Sequence, residues 1–283
     1  MSKNNNTWSE RKFTRFIKEG RGQGRGSGYK PWLTIQDFPS KGRVSRLKGW
    51  KTNRIHHFFT DTQTRFFYLL EWEDAVIDIR EHFPLFNLEE KIDTKDINME
   101  NFKDKESGFP YTISTSFLIT IKDCHGNLEY AARSIKADYE LEKKRTLDRL
   151  ELERRYWKAK GIDWGILTQK EINKTKAKNI EWIHAAYFLL ENEEKAKDLG
   201  YLTEVLQEEL TKSSLQVRLA LKKFDEELKL ETGTALMLFK HLIARKKIVV
   251  DLEKEIKLNL KPDELIARFN EKVREGEGLV SNC

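Results

Sequence analysis

The order of strand-forming and helix-forming segments constrains the fold of this 283-residue chain more than any other feature. Segments such as AVIDIREHFPL and TISTSFLITIKD have the alternation and the β-forming side chains of strands, and the short turn CHGN is typical of a hairpin. The predicted elements are a helix at 58–72, strands at 75–85, 112–123 and 128–138, a helix at 139–159 and a strand at 163–172. This order predicts an α/β unit with a mixed sheet and flanking helices.

The pattern changes near residues 172–178, where strand signals give way to helical periodicity. Helices are predicted at 178–196, 201–212, 214–230 and 233–246, and the weak alternation of 247–260 predicts a β-hairpin. The last three of these helices are followed by a predicted hairpin, which is the element order of a winged helix. We therefore expect a mainly α, winged-helix-like domain over residues 174–283, after an α/β domain over residues 58–173.

The first 57 residues are strongly basic. They hold 14 Lys/Arg and three Asp/Glu, a formal charge of +11 in a chain whose total is +6. Such an arm suits the phosphate backbone of a nucleic acid, although a solvated tail has the same composition. Glycines alternate over residues 20–28, which fits either a plain linker or a backbone that approaches phosphates closely.

Several classes of protein are excluded by simple counts. The apolar runs are only a few residues long, so no transmembrane helix is expected, and the first residues contain no apolar signal-peptide core. Two cysteines, Cys124 and Cys283, are too few for a disulfide framework or a four-ligand zinc site. We expect a cytoplasmic protein that does not bind membranes.

One lysine has a position that suits nuclease chemistry. Lys136 leaves the end of the predicted hairpin, in Ser134-Ile135-Lys136, and a strand lysine near carboxylates steadies the scissile phosphate in metal-dependent nucleases. By itself this signal is weak, since most such lysines lie on the surface. The adjacent His56 and His57 would point to opposite faces of a strand, so they are not a metal-binding pair.

Several long stretches together resemble the TnsA family, the endonuclease subunits of heteromeric cut-and-paste bacterial transposases. The matching stretches are IKEGRGQG (17–24), PWLT (31–34), Gly42-Arg43, His56-His57, EWEDAVIDIREHFP (71–84), LELERRYW (150–157) and KEINKTKAKNIEW (170–182). They span roughly residues 10–185, and the last third of the chain matches in character more than in letters.

The resemblance implies a restriction-endonuclease-like nuclease domain followed by a winged-helix domain. It implies a bacterial, cytoplasmic protein that binds double-stranded DNA at transposon ends and cuts the 5′ strands with Mg²⁺. It also implies two protein partners: a TnsB-like transposase that cuts the 3′ strands, and a TnsC-like ATPase that contacts the C-terminal domain.

The resemblance also assigns site residues, and here the chain departs from the family pattern. The family's helix glutamate corresponds to Gln63, and the aspartate of its STDF strand motif corresponds to Ser116. Its Gln-x-Lys corresponds to Ser134 and Lys136, so among these four positions only the lysine is kept. Both acidic metal positions are therefore neutral.

Mg²⁺ prefers anionic oxygen ligands, so this replacement predicts impaired cleavage. The alternative is an active Mg²⁺-dependent endonuclease that uses substitute carboxylates, for which Glu153 and Asp78 are the candidates.

The basic arm supplies the predicted DNA contacts. Replacing a lysine or arginine that contacts a phosphate with a neutral residue reduces the salt dependence of DNA affinity, so the predicted contacts can be tested. The predicted phosphate-contacting residues are Arg21, Arg25, Lys30, Arg43, Arg46, Lys48, Lys51 and Arg54.

Overall fold

A computed structural model describes residues 7–37, 43–191 and 193–270 of the chain; Cys283 lies outside these ranges. The chain divides into two compact units, with the division between Ile172 and Asn173. Every helix within the described ranges is too short or too polar to cross a lipid bilayer.

The first unit is built on a four-stranded mixed sheet. Its helices are α1 (Glu10–Lys18), α2 (Asp61–Trp72), α3 (Leu88–Lys91) and α4 (Lys144–Ala159). Its strands are β1 (Ser45–Lys48), β2 (Ile55–Phe58), β3 (Val76–Pro84), β4 (Ser114–Lys122), β5 (Leu128–Ile135) and β6 (Asp163–Leu167). The sheet order is β3-β4-β5-β6, with the first three antiparallel and β6 parallel to β5, which confirms the predicted mixed sheet.

Helix α4 covers one face of this sheet. Leu152, Tyr156 and Trp157 from α4 pack in one buried cluster with Leu118 of β4 and Ala132 of β5. The buried side chains of α4 recur at spacings of three and four residues, so one face of the helix is buried although its sequence is highly charged. This packing holds α4 beside the end of β5, which Lys136 directly follows.

The described residues of the basic arm are folded into the first unit. Trp8, Phe16 and Trp32 form a buried aromatic cluster, with ring centroids 5.3 to 5.9 Å apart. The glycine-rich segment approaches the sheet so closely that a Cβ at Gly22, whose φ is +74°, would lie 2.2 Å from Cγ of Pro84. Glycine is needed there for contact with the sheet, and this segment is neither a plain linker nor an open loop.

A two-stranded hairpin, which the sequence did not indicate, is held on the sheet by buried charges. Strand β1 pairs with β2, and Arg54 between them donates to both carboxylate oxygens of Glu81 on β3, at 2.9 and 2.5 Å. Nδ1 of His56 lies 2.9 Å from the same carboxylate. Burial alone would raise the pKa of Glu81, but the positive field of His56 and Arg54 holds that pKa well below its ordinary value.

The second unit is mainly helical. Its elements are α5 (Lys174–His184), α6 (Glu193–Lys212), α7 (Val217–Glu227), α8 (Thr234–Ala244), β7 (Ile248–Val250), α9 (Pro262–Leu265) and β8 (Ile266–Phe269). Helix α8 supplies the centre of its core, with Leu238, Phe239, Leu242 and Ile243 fully buried.

Two predicted elements of the second unit are wrong. The helix expected over 178–196 ends at His184 and continues as a 3-10 turn, where Nδ1 of His241 contacts the carbonyl oxygen of Ala186 at 2.7 Å. The hairpin expected within 247–260 is instead formed by β7 with the distant β8. The side-chain amide of Asn179 donates to the carbonyls of Leu252 and Lys254, which binds that segment to α5.

Candidate active site

Gln63 lies in the first turn of α2, and its side chain folds back onto the start of the helix. Thr60 is the N-cap residue, and its hydroxyl accepts a hydrogen bond from the backbone nitrogen of Gln63. Oε1 of Gln63 accepts a hydrogen bond of 2.9 Å from the backbone nitrogen of Phe59. The one oxygen that Gln63 offers is therefore used to satisfy an amide at the helix entrance.

Ser116 and Lys136 lie near each other where β4 begins and β5 ends. The hydroxyl of Ser116 accepts a hydrogen bond of 2.9 Å from the backbone nitrogen of Ile135, and Lys136 is the next residue. The side chains of Ser116 and Lys136 are both half-buried. The hairpin register thus brings these two predicted site positions together.

Gln63 and Ser116 are connected indirectly, through ring contacts between residues that lie next to them. Phe66, one turn after Gln63 on α2, packs its ring 5.3 Å from that of Phe117, the residue after Ser116. The ring of Phe59, whose amide Gln63 binds, lies 4.8 Å from that of His82 on β3. His82 lies across from Ser116, because its neighbours Glu81 and Phe83 pair with Phe117 and Thr115.

Ser134 belongs to a buried hydrogen-bond cluster centred on Glu153. Oε2 of Glu153, a residue only 1% exposed, accepts hydrogen bonds from the hydroxyls of Ser134 and, at 2.9 Å, of Thr115. The indole nitrogens of Trp157 and Trp164 donate to the hydroxyls of Thr115 and Ser134, at 2.8 and 3.2 Å respectively. Ser134 therefore connects β5 to α4 and does not face an open cleft.

Both candidate substitute carboxylates have partners within the fold. The second oxygen of Glu153 lies 3.4 Å from Nε of Arg149, so protein groups engage both of its oxygens. Asp78 accepts a hydrogen bond from the backbone nitrogen of Gly26 and forms an ion pair of 3.3 Å with Arg80. Asp78 is also four residues from His82 along β3, about 13 Å in an extended strand.

Lys136 lines a polar groove at the start of α4. The groove has a volume of about 260 Å³. Its lining is formed by Phe102, Tyr111, Thr112, Ile113, Lys136, Glu140, Arg145, Thr146 and Arg149. Burial and then the nearby positive charge of Arg149 lower the pKa of Lys136, against the opposing fields of Glu153 and Glu140. The lysine is thus a partly desolvated cation in a cationic groove.

The residues at the family's metal positions do not fit Mg²⁺. Gln63 and Ser116 supply one amide and one hydroxyl oxygen, both neutral and both bonded to backbone amides. Within the part of the chain that the structure describes, no group of three or more His, Cys, Asp or Glu is arranged to hold a metal ion. Mg²⁺ in such sites is usually held by one or two carboxylates beside waters and substrate phosphates, and Gln63 and Ser116 supply no carboxylate.

The predicted DNA-contacting residues separate into three groups. Arg25, Lys30, Arg43 and Arg46 are exposed. Lys48 and Lys51 are half-buried, and Lys51 donates to the carbonyl of Glu73 at 2.7 Å. Arg21 forms a 2.6 Å ion pair with Asp37 and lies 3.6 Å from the ring of Phe16, while Arg54 is committed to Glu81. Arg21 and Arg54 therefore have structural partners within the fold.

Sequence reasoning missed two sets of cations. Arg11, Arg15 and Lys18 form an exposed basic face of α1, with the spacing of three and four residues that places side chains on one side of a helix. Arg145 and Arg149 line the groove beside Lys136, and their spacing of four residues was the available signal.

Comparison with known proteins identifies relatives across most of the chain. Residues 73–169 match the family described as TnsA-like endonuclease N terminal, and residues 171–252 match the family described as TnsA endonuclease C terminal. The transposon Tn7 transposition protein TnsA of Escherichia coli is 39% identical over 261 residues, which cover 92% of each chain.

Proposed function

The chain belongs to the TnsA endonuclease family, and on that premise we propose that it is a transposase subunit that binds transposon ends but whose strand-cutting centre is impaired. The observation that carries the proposal is the hydrogen bonding of the Gln63 and Ser116 side chains. Both residues stand where the family resemblance places acidic metal ligands, and both use their side-chain oxygen atoms to bind backbone amides.

The physical reason for impaired cleavage is the loss of negative charge. Divalent metals in nucleases are held by carboxylates, which offset the cost of removing water from the ion. A glutamine keeps one oxygen without the charge, and a serine is both neutral and shorter. The contacts of Glu153 and Asp78 argue against the alternative, an active endonuclease with substitute carboxylates.

DNA binding does not depend on those acids. The exposed cations Arg25, Lys30, Arg43 and Arg46 on the first unit are suited to phosphate contacts, and α1 adds a further basic face. The DNA is the double-stranded transposon end, in the bacterial cytoplasm. The choice of sequence belongs to the partner transposase.

The second unit is proposed to be winged-helix-like and to contact a TnsC-like ATPase, while the whole chain works beside a TnsB-like transposase. The succession of α6, α7 and α8 followed by the β7–β8 pair supports the winged-helix interpretation. Without cleavage of the 5′ strands, cutting and joining of the 3′ strands leaves the donor DNA attached. The expected products are cointegrates.

A transposition assay with the partner proteins tests this proposal. The native chain should yield cointegrates, and a Gln63→Glu/Ser116→Asp double variant should shift the products to simple insertions. The same double variant with Lys136→Ala is the control and should return the products to cointegrates. Simple insertions from the native chain as the main product would overturn the proposal.

A further inference from the structure

The groove beside Lys136 has an excess of positive charge. Lys136, Arg145 and Arg149 line it together with one carboxylate, that of Glu140. Oε2 of Glu140 accepts a hydrogen bond of 2.9 Å from the backbone nitrogen of Ala137, so this carboxylate is partly committed to the backbone. The groove therefore favours an anion as its occupant.

The N-terminal turn of α4 carries positive charges, which are unfavourable at that end of a helix. Lys143 is the N-cap residue and provides no side-chain cap, Lys144 and Arg145 follow, and the first turn contains no acidic residue. The N-terminus of a helix has a partial positive charge, so cations there repel it and an anion is attracted. Arg145 and Thr146 of this turn line the groove, so an anion held there would lie against the helix end.

The cations of the groove are positioned by the protein itself. Arg149 donates from Nη2 to the carbonyl of Ser114 at 2.8 Å, and its Nε lies 3.4 Å from Glu153. Lys136 is placed by the backbone bond from its nitrogen to the carbonyl of Leu167 and by the Ser116 contact at Ile135. Thr112 and Thr146 add hydroxyl groups to the same lining, whereas the hydroxyl of Tyr111 donates to the Asp104 carboxylate at 2.8 Å. The arrangement offers charge and hydrogen-bond donors to a tetrahedral oxyanion.

We propose that this groove is a metal-independent phosphate site that holds one backbone phosphate of the bound DNA through Lys136, Arg145 and Arg149. The identity of the phosphate as DNA rests on the proposed function, whereas the affinity of the groove for phosphate does not. In a chain without acidic metal ligands at the family positions, fixed cations supply the positive charge that would otherwise come from a metal ion. The cleft is thus a holding site for the strand.

DNA affinity in the presence of EDTA tests the proposal in the full-length chain. Affinity for a fluorescent duplex with a transposon end is measured across a range of salt concentrations for the native chain and for Arg145→Gln/Lys136→Gln. Removing one phosphate interaction should make the negative slope of log affinity against log salt shallower by about 0.9. Circular dichroism checks folding, and Arg145→Gln alone, at an exposed position, provides a second variant.

Arg154→Gln is the matched control for Arg145→Gln, since each variant removes one arginine from the same helix. Arg154 is an arginine on the same helix, about 14 Å further along its axis, and it pairs with Glu151 away from the groove lining. This variant should keep the native slope. In a second arm, inorganic phosphate should raise the Tm of the native chain and of Arg154→Gln, and should raise that of the double variant less.

The results of these experiments distinguish the groove proposal from the proposed function. If the native chain binds the duplex but the double variant keeps the native slope, or if binding requires Mg²⁺, the groove proposal is overturned and the proposed function stands. If the native chain fails to bind transposon-end DNA, the proposed function fails. The Tm measurement with inorganic phosphate then tests the groove by itself. A phosphate response without any change in DNA binding would overturn the assignment to DNA.

Discussion

The hydroxyl oxygen of Ser116 accepts a hydrogen bond of 2.9 Å from the backbone nitrogen of Ile135. This contact joins the start of β4 to the end of β5, immediately before Lys136. A side chain at a position that the family resemblance assigns to metal binding is thus used as a structural connection. The same holds for Gln63 at the entrance of α2.

Removing this connection should weaken the sheet end. Ser116→Ala leaves the amide of Ile135 without its acceptor, which typically costs about 1 kcal/mol in the free energy of unfolding. Urea denaturation measures the change, with the exposed Ser27→Ala as the control. Equal stability of the two variants would show that the Ser116 hydrogen bond contributes nothing.

The buried pair of Arg54 and Glu81 should matter far more than ion pairs on the surface. The Glu81→Gln variant leaves the guanidinium of Arg54 buried without a countercharge, a change that costs about 3–5 kcal/mol in such sites. Glu226→Gln, which removes an exposed pair with Lys222, should cost less than about 1 kcal/mol. Denaturation of both variants compares them directly, and similar losses would contradict the structural role of Arg54.

Stability should decrease in mildly acidic solution because of His82. Burial lowers the pKa of this histidine to about 4, whereas an unfolded histidine titrates near 6.5. Between these values the unfolded chain binds a proton that the folded chain does not, so stability falls as the pH falls, by up to about 3 kcal/mol. The corresponding loss from Glu81 falls at lower pH, since its pKa is held below the ordinary carboxylate value.

A variant of His82 isolates this effect. His82 has a φ of +50°, a conformation that asparagine tolerates well, so His82→Asn should fold and should lose less stability between pH 7 and 4.5. The exposed His125→Asn should keep the native pH profile. An unchanged profile in His82→Asn would show that other groups cause the acid sensitivity.

The exposed cations of the basic arm should account for part of the salt dependence of DNA binding. Replacing Arg25 and Arg46 with Gln should make the negative slope of log affinity against log salt shallower by about 0.9 for each phosphate interaction that the variant removes. Lys95→Gln/Lys105→Gln removes the same charge elsewhere on the first unit and is the control. Equal slopes for the two double variants would mean that overall charge, and not binding through the arm, sets the affinity.

Local sequence patterns predicted the elements whose structure depends on nearby residues. Alternation placed β3, β4 and β5, and the length of the charged segment placed α4, so the mixed sheet followed. The β1–β2 hairpin was missed because its position depends on Arg54 reaching Glu81, 27 residues away. The burial of Trp8 and Trp32 also depends on partners distant in sequence, and composition alone favoured an arm.

The candidate site was predictable to a similar extent. The hairpin register brings Ser116 close to Lys136, and the family resemblance located both. The commitment of Ser134 to Glu153 was not predictable, because it depends on how α4 packs across the sheet. The cationic groove required the position of Arg145 and Arg149 relative to Lys136, which only the folded chain supplies.

Strand cleavage at transposon ends shows whether the nuclease centre is impaired. Purified chain, its transposase partner and Mg²⁺ are incubated with transposon ends labelled on the 5′ strand, and the cut products are measured. We expect no 5′-strand cleavage above background for the native chain, and cleavage for Gln63→Glu/Ser116→Asp. Efficient cleavage by the native chain that is abolished by Lys136→Ala would contradict an impaired nuclease centre.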